Sequence, residues 1–323
     1  MYWPESHIPH IDLTMMDDLM DALTKSELAD MYNSVFLDLA RGDARIFCVF
    51  PRITSFPQIV FAHQFYSTTW VMDEPVEEGC RMGYVDEFVI PYLNNQKKHL
   101  VGRTDNLFNF ETLRGSIPDE LITKAAVAEA IIQTTTRTAK KTLDPRLFAV
   151  HLSYVRRWLD DLGAEAHSFA TNTKEKTTSS FDDLMSTRGY TVGMQLVTAG
   201  ILPPDECHLL QVENPFMFAG NCVVAYDNDV AGVPKESEDT TSPSNFLFVL
   251  QSDGRTQLQA ARELVRRRNG VVRLMEKQIP TLHPEWRPAY RDFLTYVLMI
   301  CDFEFILEKG IWNKRYGWIW TKV

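Results

Sequence analysis

The stretch PQIVFAHQFYSTTWVMDEPVEE, from Pro57 to Glu78, decides how the chain is read. Its apolar residues recur at helical rather than alternating spacing, and Pro57 is well placed in a first helical turn. The segment runs into an acidic stretch, Asp73-Glu74-Pro75-Val76-Glu77-Glu78. It predicts a strongly apolar helix that closes near Pro75, because proline disfavours helical geometry at the residue before it. Outward from this segment the same period recurs. Ser26 starts a helix running to about Ala40, and Pro118-Asp119-Glu120 has the early proline and acidic first turn of another, which continues through AVAEAIIQTTTRTAKK. Pro145 starts a helix carrying Trp158 and Phe169. Further helices are expected over 182–200, 214–229, 255–278 and 284–308, with KESEDTTSPSN as a loop. No internal repeat breaks the pattern. The expected fold is all-α, in one domain covering 1–323.

The composition limits what such a bundle does. The chain has 323 residues, 45% of them hydrophobic, enough for a substantial core. A formal net charge of -10 argues against a general affinity for nucleic-acid backbones, so an anionic ligand has to be met by a local cluster of cations or by metal ions. The five cysteines, Cys48, Cys80, Cys207, Cys222 and Cys301, are scattered and lack the close pairs of a zinc site or disulfide framework. They read as reduced thiols of a cytoplasmic protein. The N-terminal MYWPESHIPHIDL has no basic or apolar signal region, and no stretch approaches the roughly 20 apolar residues of a membrane span. Stable membrane insertion is not expected.

Four short signals stand out. Phe65, Tyr66 and Trp70 precede the acidic run by one to two turns, so aromatic faces and carboxylates can share one cavity mouth. Taken alone, such a run is most often a solvated helix end. The second signal is Asn228-Asp229-Val230-Ala231-Gly232-Val233-Pro234-Lys235-Glu236, whose oxygen ligands suit magnesium if the helix persists through Pro234. The other reading is a helix end running into the polar loop. Third is Arg188-Gly189-Tyr190-Thr191-Val192-Gly193, where two glycines suggest a helix break or a close backbone approach. The fourth is Trp312-Asn313-Lys314-Arg315-Tyr316, by itself a polar tail.

In this order the four signals resemble the class I terpene synthases, particularly the single-domain microbial type. That family carries an aspartate-rich motif DDxx(D/E), a second motif NDxxSxxxE, an upstream diphosphate-sensing arginine and an Arg-Tyr pair near the C-terminus. Asp73 and Glu77 match the ends of the first motif, with Glu74 in place of its second aspartate. Asn228, Asp229 and Glu236 match the second, with Gly232 where a serine hydroxyl normally stands and a water would fill in. Arg188 lies 40 residues before Asn228 (228 minus 188), and Arg315-Tyr316 lies 79 after Glu236 (315 minus 236). Lys235 matches a common diphosphate-binding lysine, and Thr191 and Val192 fall at the linker and effector positions of the helix break.

The resemblance implies a helical bundle around a central active-site cavity, with residues 1–15 capping it. It implies three Mg2+ ions, held by Asp73, Glu77, Asn228, Gly232 and Glu236. Arg188, Lys235, Arg315 and Tyr316 would meet the diphosphate of a farnesyl or geranylgeranyl substrate, and Asp73, Arg188, Arg315 and Tyr316 carry the catalytic assignment. Ionisation would give an allylic cation that cyclises to a sesquiterpene or diterpene, shielded from water by aromatic walls. The pocket candidates are Phe65, Tyr66, Trp158, Val192, Phe216, Phe218 and Trp312. Aromatics at helical spacing are also ordinary core, and His63 and His151, in apolar helices, read as hydrogen-bonded core residues. Homodimers are frequent in the family. The rival readings are a chain-elongating prenyl diphosphate synthase, which normally has two DDxxD motifs, and a non-catalytic helical binding protein descended from a synthase.

Overall fold

A helix that is apolar around most of its circumference has to be covered on most sides, and the helix built on the Pro57–Glu78 stretch is. The computed structural model describes residues 13–26, 55–100, 108–175, 180–198, 200, 202–205, 209, 214–237 and 245–300. In chain order its helices are α1 (Leu13–Thr24), α2 (Phe56–Arg81), a π-helical turn (Val85–Val89), α3 (Ile90–Leu100), a 3-10 turn (Phe110–Leu113), α4 (Asp119–Thr142) and α5 (Pro145–Glu175). After these come α6 (Phe181–Thr191), α7 (Met194–Thr198), α8 (Pro215–Ser237), α9 (Phe246–Ser252), α10 (Gln257–Gln278), a 3-10 turn (Ile279–Thr281) and α11 (Arg287–Ile300). The fold is all-α, with no strand among the described residues. No described helix is long and apolar enough to cross a membrane.

Two prolines do not do what their local chemistry suggests. Pro75 lies inside α2, which continues to Arg81, and α8 continues through Pro234 to Ser237. Pro75 removes the N–H that Val71 would otherwise accept, but packing holds α2 on both sides of it. Phe61, Phe65 and Met72 are buried before it. After it, Glu78 is paired with Lys124 of α4 at 2.7 Å, and a Cβ on Gly79 would come within 2.7 Å of Val89. α2 ends instead at Gly83, whose φ of +83° closes a Schellman turn, with Tyr84 N–H donating to Gly79 O and Gly83 N–H to Cys80 O. Of the helix expected over 26–40, only Ser26 is described; it follows α1, and its hydroxyl donates to Leu23 O. The expected helix over 284–308 begins at Arg287 and is described as far as Ile300.

The elements pack into one large core around α2, α4 and α5, and a second between α6, α8, α9 and α10. Short α7 touches α2, α5 and α8, and so bridges the two groups. Glu129 of α4 is a buried acceptor for Gln96 Nε2 of α3 at 2.8 Å and for Phe108 N–H at 3.0 Å. α10 opens with a capping box, in which Thr256 and Gln259 exchange side-chain and backbone hydrogen bonds. It is tied to α8 by Arg268 Nε and Asp227 Oδ2 at 3.1 Å, both side chains under 5% exposed.

Breaking one side of such a buried pair strands the other charge. Arg268→Met is expected to lower the unfolding free energy by about 3–5 kcal/mol, read from urea denaturation; a loss below about 1 kcal/mol would show that the pair behaves as a surface one.

Candidate active site

The acidic run is split by its helix. Asp73 is half-buried and Glu77, one turn on, is exposed, whereas Glu78 is taken by Lys124. Glu165, a partly buried residue of α5, joins them from the neighbouring helix. Burial first, then the charges of Glu165, Asp73 and Glu77, push the Cys80 thiol up to about 12. Three carboxylates from two helices therefore act on one point at the C-terminal end of α2. Glu165 carried no sequence signal, since only the packing of α5 on α2 and α6 brings it here. Among the described residues no three carboxylate, His or Cys side chains close on a single centre. The oxygen donors instead stand on separate walls, a chemistry that suits a hard cation sharing its shell with an anionic ligand.

The facing wall is set by Arg188 and Asp229. Asp229 is fully buried, and its Oδ1 accepts from Arg188 Nη2 at 2.8 Å and Nε at 3.1 Å. Its Oδ2 accepts the Phe246 N–H at 2.7 Å, an orphan donor in the first turn of α9, and its carbonyl accepts from Asn245 Nδ2 at 2.8 Å. Burial raises the Asp229 pKa; Arg188 and the Phe246 N–H oppose the rise. Asp229 is thus a fastening between helices, and the adjacent Asn228, half-buried, occupies another face of α8. Arg188 also lies 3.7 Å from Glu165 Oε1, which brings the second wall to the first.

The two glycines after Arg188 divide the two roles anticipated for them. Gly189 stays helical and permits close approach: a Cβ there would sit 2.6 Å from the Phe218 ring of α8. Gly193, with φ of +74°, makes the break between α6 and α7. The carbonyls freed by the break are satisfied by side chains. Gln195 Nε2 donates to Tyr190 O at 2.9 Å, and the indole N–H of Trp158 donates to Thr191 O at 3.0 Å. Below them His151 Nδ1 lies 2.9 Å from Leu196 O, with the rings of Phe61 and Phe65 edge-on to the imidazole at 5.2 and 4.8 Å.

Other candidates fall into place unequally. Phe65, Tyr66 and Trp158 are buried on the same helices as the carboxylates, two turns or so deeper. Val192 is the half-buried residue at the break itself. Phe218 fills the contact with α6, and Phe216 packs against Tyr290 and Phe293 of α11, with centroids 4.8 and 6.1 Å away. Gly232, Lys235 and Glu236 are placed as backbone in the last turns of α8. Trp312, Arg315 and Tyr316 lie outside the described residues, as do residues 1–12.

The model of terpene synthase family 2, C-terminal metal binding, matches residues 97–269. The chain is 24% identical over 278 residues to a (+)-bicyclogermacrene synthase of Penicillium expansum, covering 82% of this chain and 68% of that protein. Among solved structures, a variant of cucumene synthase superposes with a TM-score of 0.62 at 14% identity, over 98% of both chains. A linalool/nerolidol synthase from Streptomyces clavuligerus, in complex with 2-fluorogeranyl diphosphate, gives 0.64 at 10% identity, over 93% of this chain and 97% of that one. At such identities the structural likeness speaks for the fold.

Beneath the break, burial lowers the His151 pKa to about 4, so the ring is neutral when folded. A base whose folded pKa lies below its unfolded value contributes stability that is complete above the unfolded pKa, near 6.5, and falls as the pH drops toward about 4. The expected slope from this group is about 1.4 kcal/mol per pH unit in that window. His151→Gln should flatten the wild-type curve there, measured by denaturation at stepped pH.

Proposed function

This chain belongs to the terpene synthase family, and from that premise we propose that it ionises farnesyl or geranylgeranyl diphosphate and cyclises the cation to a sesquiterpene or diterpene, releasing diphosphate. The enzyme is a lyase of the all-α class I fold, and the family's metal-binding domain implies a divalent metal cofactor. The observation that supports the finer reading best is the convergence of Asp73, Glu77 and Glu165 with Arg188 at one end of the bundle, above a buried aromatic layer.

The donor set of the two walls is all oxygen and fits magnesium. Asp73 and Glu77 would hold it on one wall, and Asn228, Glu236 and a water at Gly232 on the other, for three ions in all. When bound, the metal neutralises charge on the diphosphate as the allylic C–O bond breaks. The chain's own polar groups complete that neutralisation, Arg188 from its place between Asp229 and Glu165, and Lys235, Arg315 and Tyr316 by their motif positions. Because Asp229 already fixes two nitrogens of Arg188, the guanidinium is held before the anion arrives, and little reorganisation opposes binding. Below the mouth, Phe65, Tyr66, Trp158 and Val192 wall off water, and the aromatic rings among them present their faces to the cation. In this reading the chain, 1–323, works as one domain in the cytoplasm.

Incubation with geranyl, farnesyl and geranylgeranyl diphosphate, with and without magnesium, tests this. The expected outcome is a cyclic product and free diphosphate only with the metal. Asp73→Ala and Asn228→Ala should each lower turnover by about 100-fold or more while circular dichroism shows the helices intact. Full activity in either variant would sink the metal assignment, and longer diphosphates formed on adding isopentenyl diphosphate would transfer the chain to the elongating enzymes.

A further inference from the structure

Helix α10 concentrates positive charge in an acidic chain. From Gln257 to Gln278 it holds five arginines and one lysine against two glutamates, a formal charge of +4 (6 minus 2), so the rest of the chain carries -14 (-10 minus 4). Packing sorts these cations. Arg268 is buried against Asp227, and the half-buried Arg267 lies over the Phe181 ring, 4.1 Å from its centroid. Arg262, Arg266, Arg273 and Lys277 are left on the exposed face.

At helical spacing these four fall within about 60° of one another around the axis and span roughly 22 Å along it. Two leucines stand with them, Leu258 one turn before Arg262 and Leu274 one turn before Lys277, 60% and 64% exposed. Gly270 lies between Arg266 and Arg273, and a Cβ there would meet nothing within 4 Å, so no described element overhangs the stripe. The acids of the helix do not cancel its cations. Glu263 is shared by Arg266 at 2.7 Å and Arg267 at 2.8 Å, so one carboxylate answers two guanidinium groups, and Glu276 is half-buried at the edge of the stripe.

A row of like charges repels itself, and an exposed leucine gains nothing from water, so the stripe fits a partner that answers both. Nucleic acid would meet the cations but leave the leucines without an apolar neighbour. A single uncovered helix offers no groove for an inserted chain, whereas it can lie along a plane. We propose that the exposed stripe of α10 docks the protein on an anionic phospholipid surface, with Arg262, Arg266, Arg273 and Lys277 against the headgroups and Leu258 and Leu274 at the edge of the acyl region. The acidic remainder of the chain does not cancel this attraction, because charges more than about 10 Å from the surface are screened at ordinary salt. The opposite face of α10, with Leu264, Val272 and Met275, stays in the core, so the contact is peripheral. It stands apart from the reaction proposed above and is read without turnover.

The test is co-sedimentation of the full chain with phosphatidylcholine vesicles, with and without about 30% phosphatidylserine. Binding is expected only with the anionic lipid, and should fall about tenfold or more as salt rises from about 0.1 M to about 0.5 M. Arg262→Glu with Arg273→Glu should weaken it about tenfold or more. Lys140→Glu with Lys141→Glu, an equal charge change on exposed side chains at the end of α4, should leave it unchanged. Leu258→Ser with Leu274→Ser should weaken binding severalfold at the same salt dependence. Arg273→Gln alone should give a smaller loss in the same direction, and decides the matter if the double reversal does not fold. No sedimentation with anionic vesicles overturns the proposal, and so does equal weakening by the α4 pair, which would make net charge the cause. Tighter binding to duplex RNA than to the vesicles, or undiminished binding by the leucine variant, would make the stripe a general polyanion surface and overturns the lipid assignment.

Discussion

A carboxylate with no exposed surface has to be met on every side, and Asp229 is met by one guanidinium from α6, one backbone N–H from the start of α9 and an amide on its own carbonyl from Asn245. That single requirement joins three helices at the level of the site. With Asp229 held, Asn228 is turned to the neighbouring face of α8, and Arg188 is left within 3.7 Å of Glu165. The place of the cation between the two walls is thus a consequence of how one buried charge is satisfied.

The break after Thr191 follows the same logic at the backbone. Ending α6 frees carbonyls that the interior cannot leave bare. Gln195 and Trp158 take up those of Tyr190 and Thr191, and His151 takes up that of Leu196. Trp158 therefore does two things at once. Its N–H locks the break in place, and its ring remains part of the buried layer.

Much of this was legible in residue order. The helical period of Pro57–Glu78, the acidic run at its end, the paired glycines after Arg188 and the second motif beginning at Asn228 are local patterns, and helical geometry turns them into faces and levels without further information. The boundaries were less so. Pro75 and Pro234 are helix breakers by local chemistry, yet α2 and α8 pass through them, and α2 does so because Phe61, Phe65, Gly79 and Glu78 are anchored by other elements. Tertiary packing overrode a penalty confined to one hydrogen bond and one backbone angle.

By itself the sequence determined an all-α chain with carboxylates, an amide and an arginine in a set order, since periodicity and spacing are local properties that each segment carries with it. Only the tertiary structure decided that Glu78 is paired off with Lys124 while Glu165 joins Asp73 and Glu77, and that Asp229 fastens helices rather than facing the site. Those outcomes depend on which helix lies against which, and on burial making every unpaired charge or amide count, neither of which is written in any one segment.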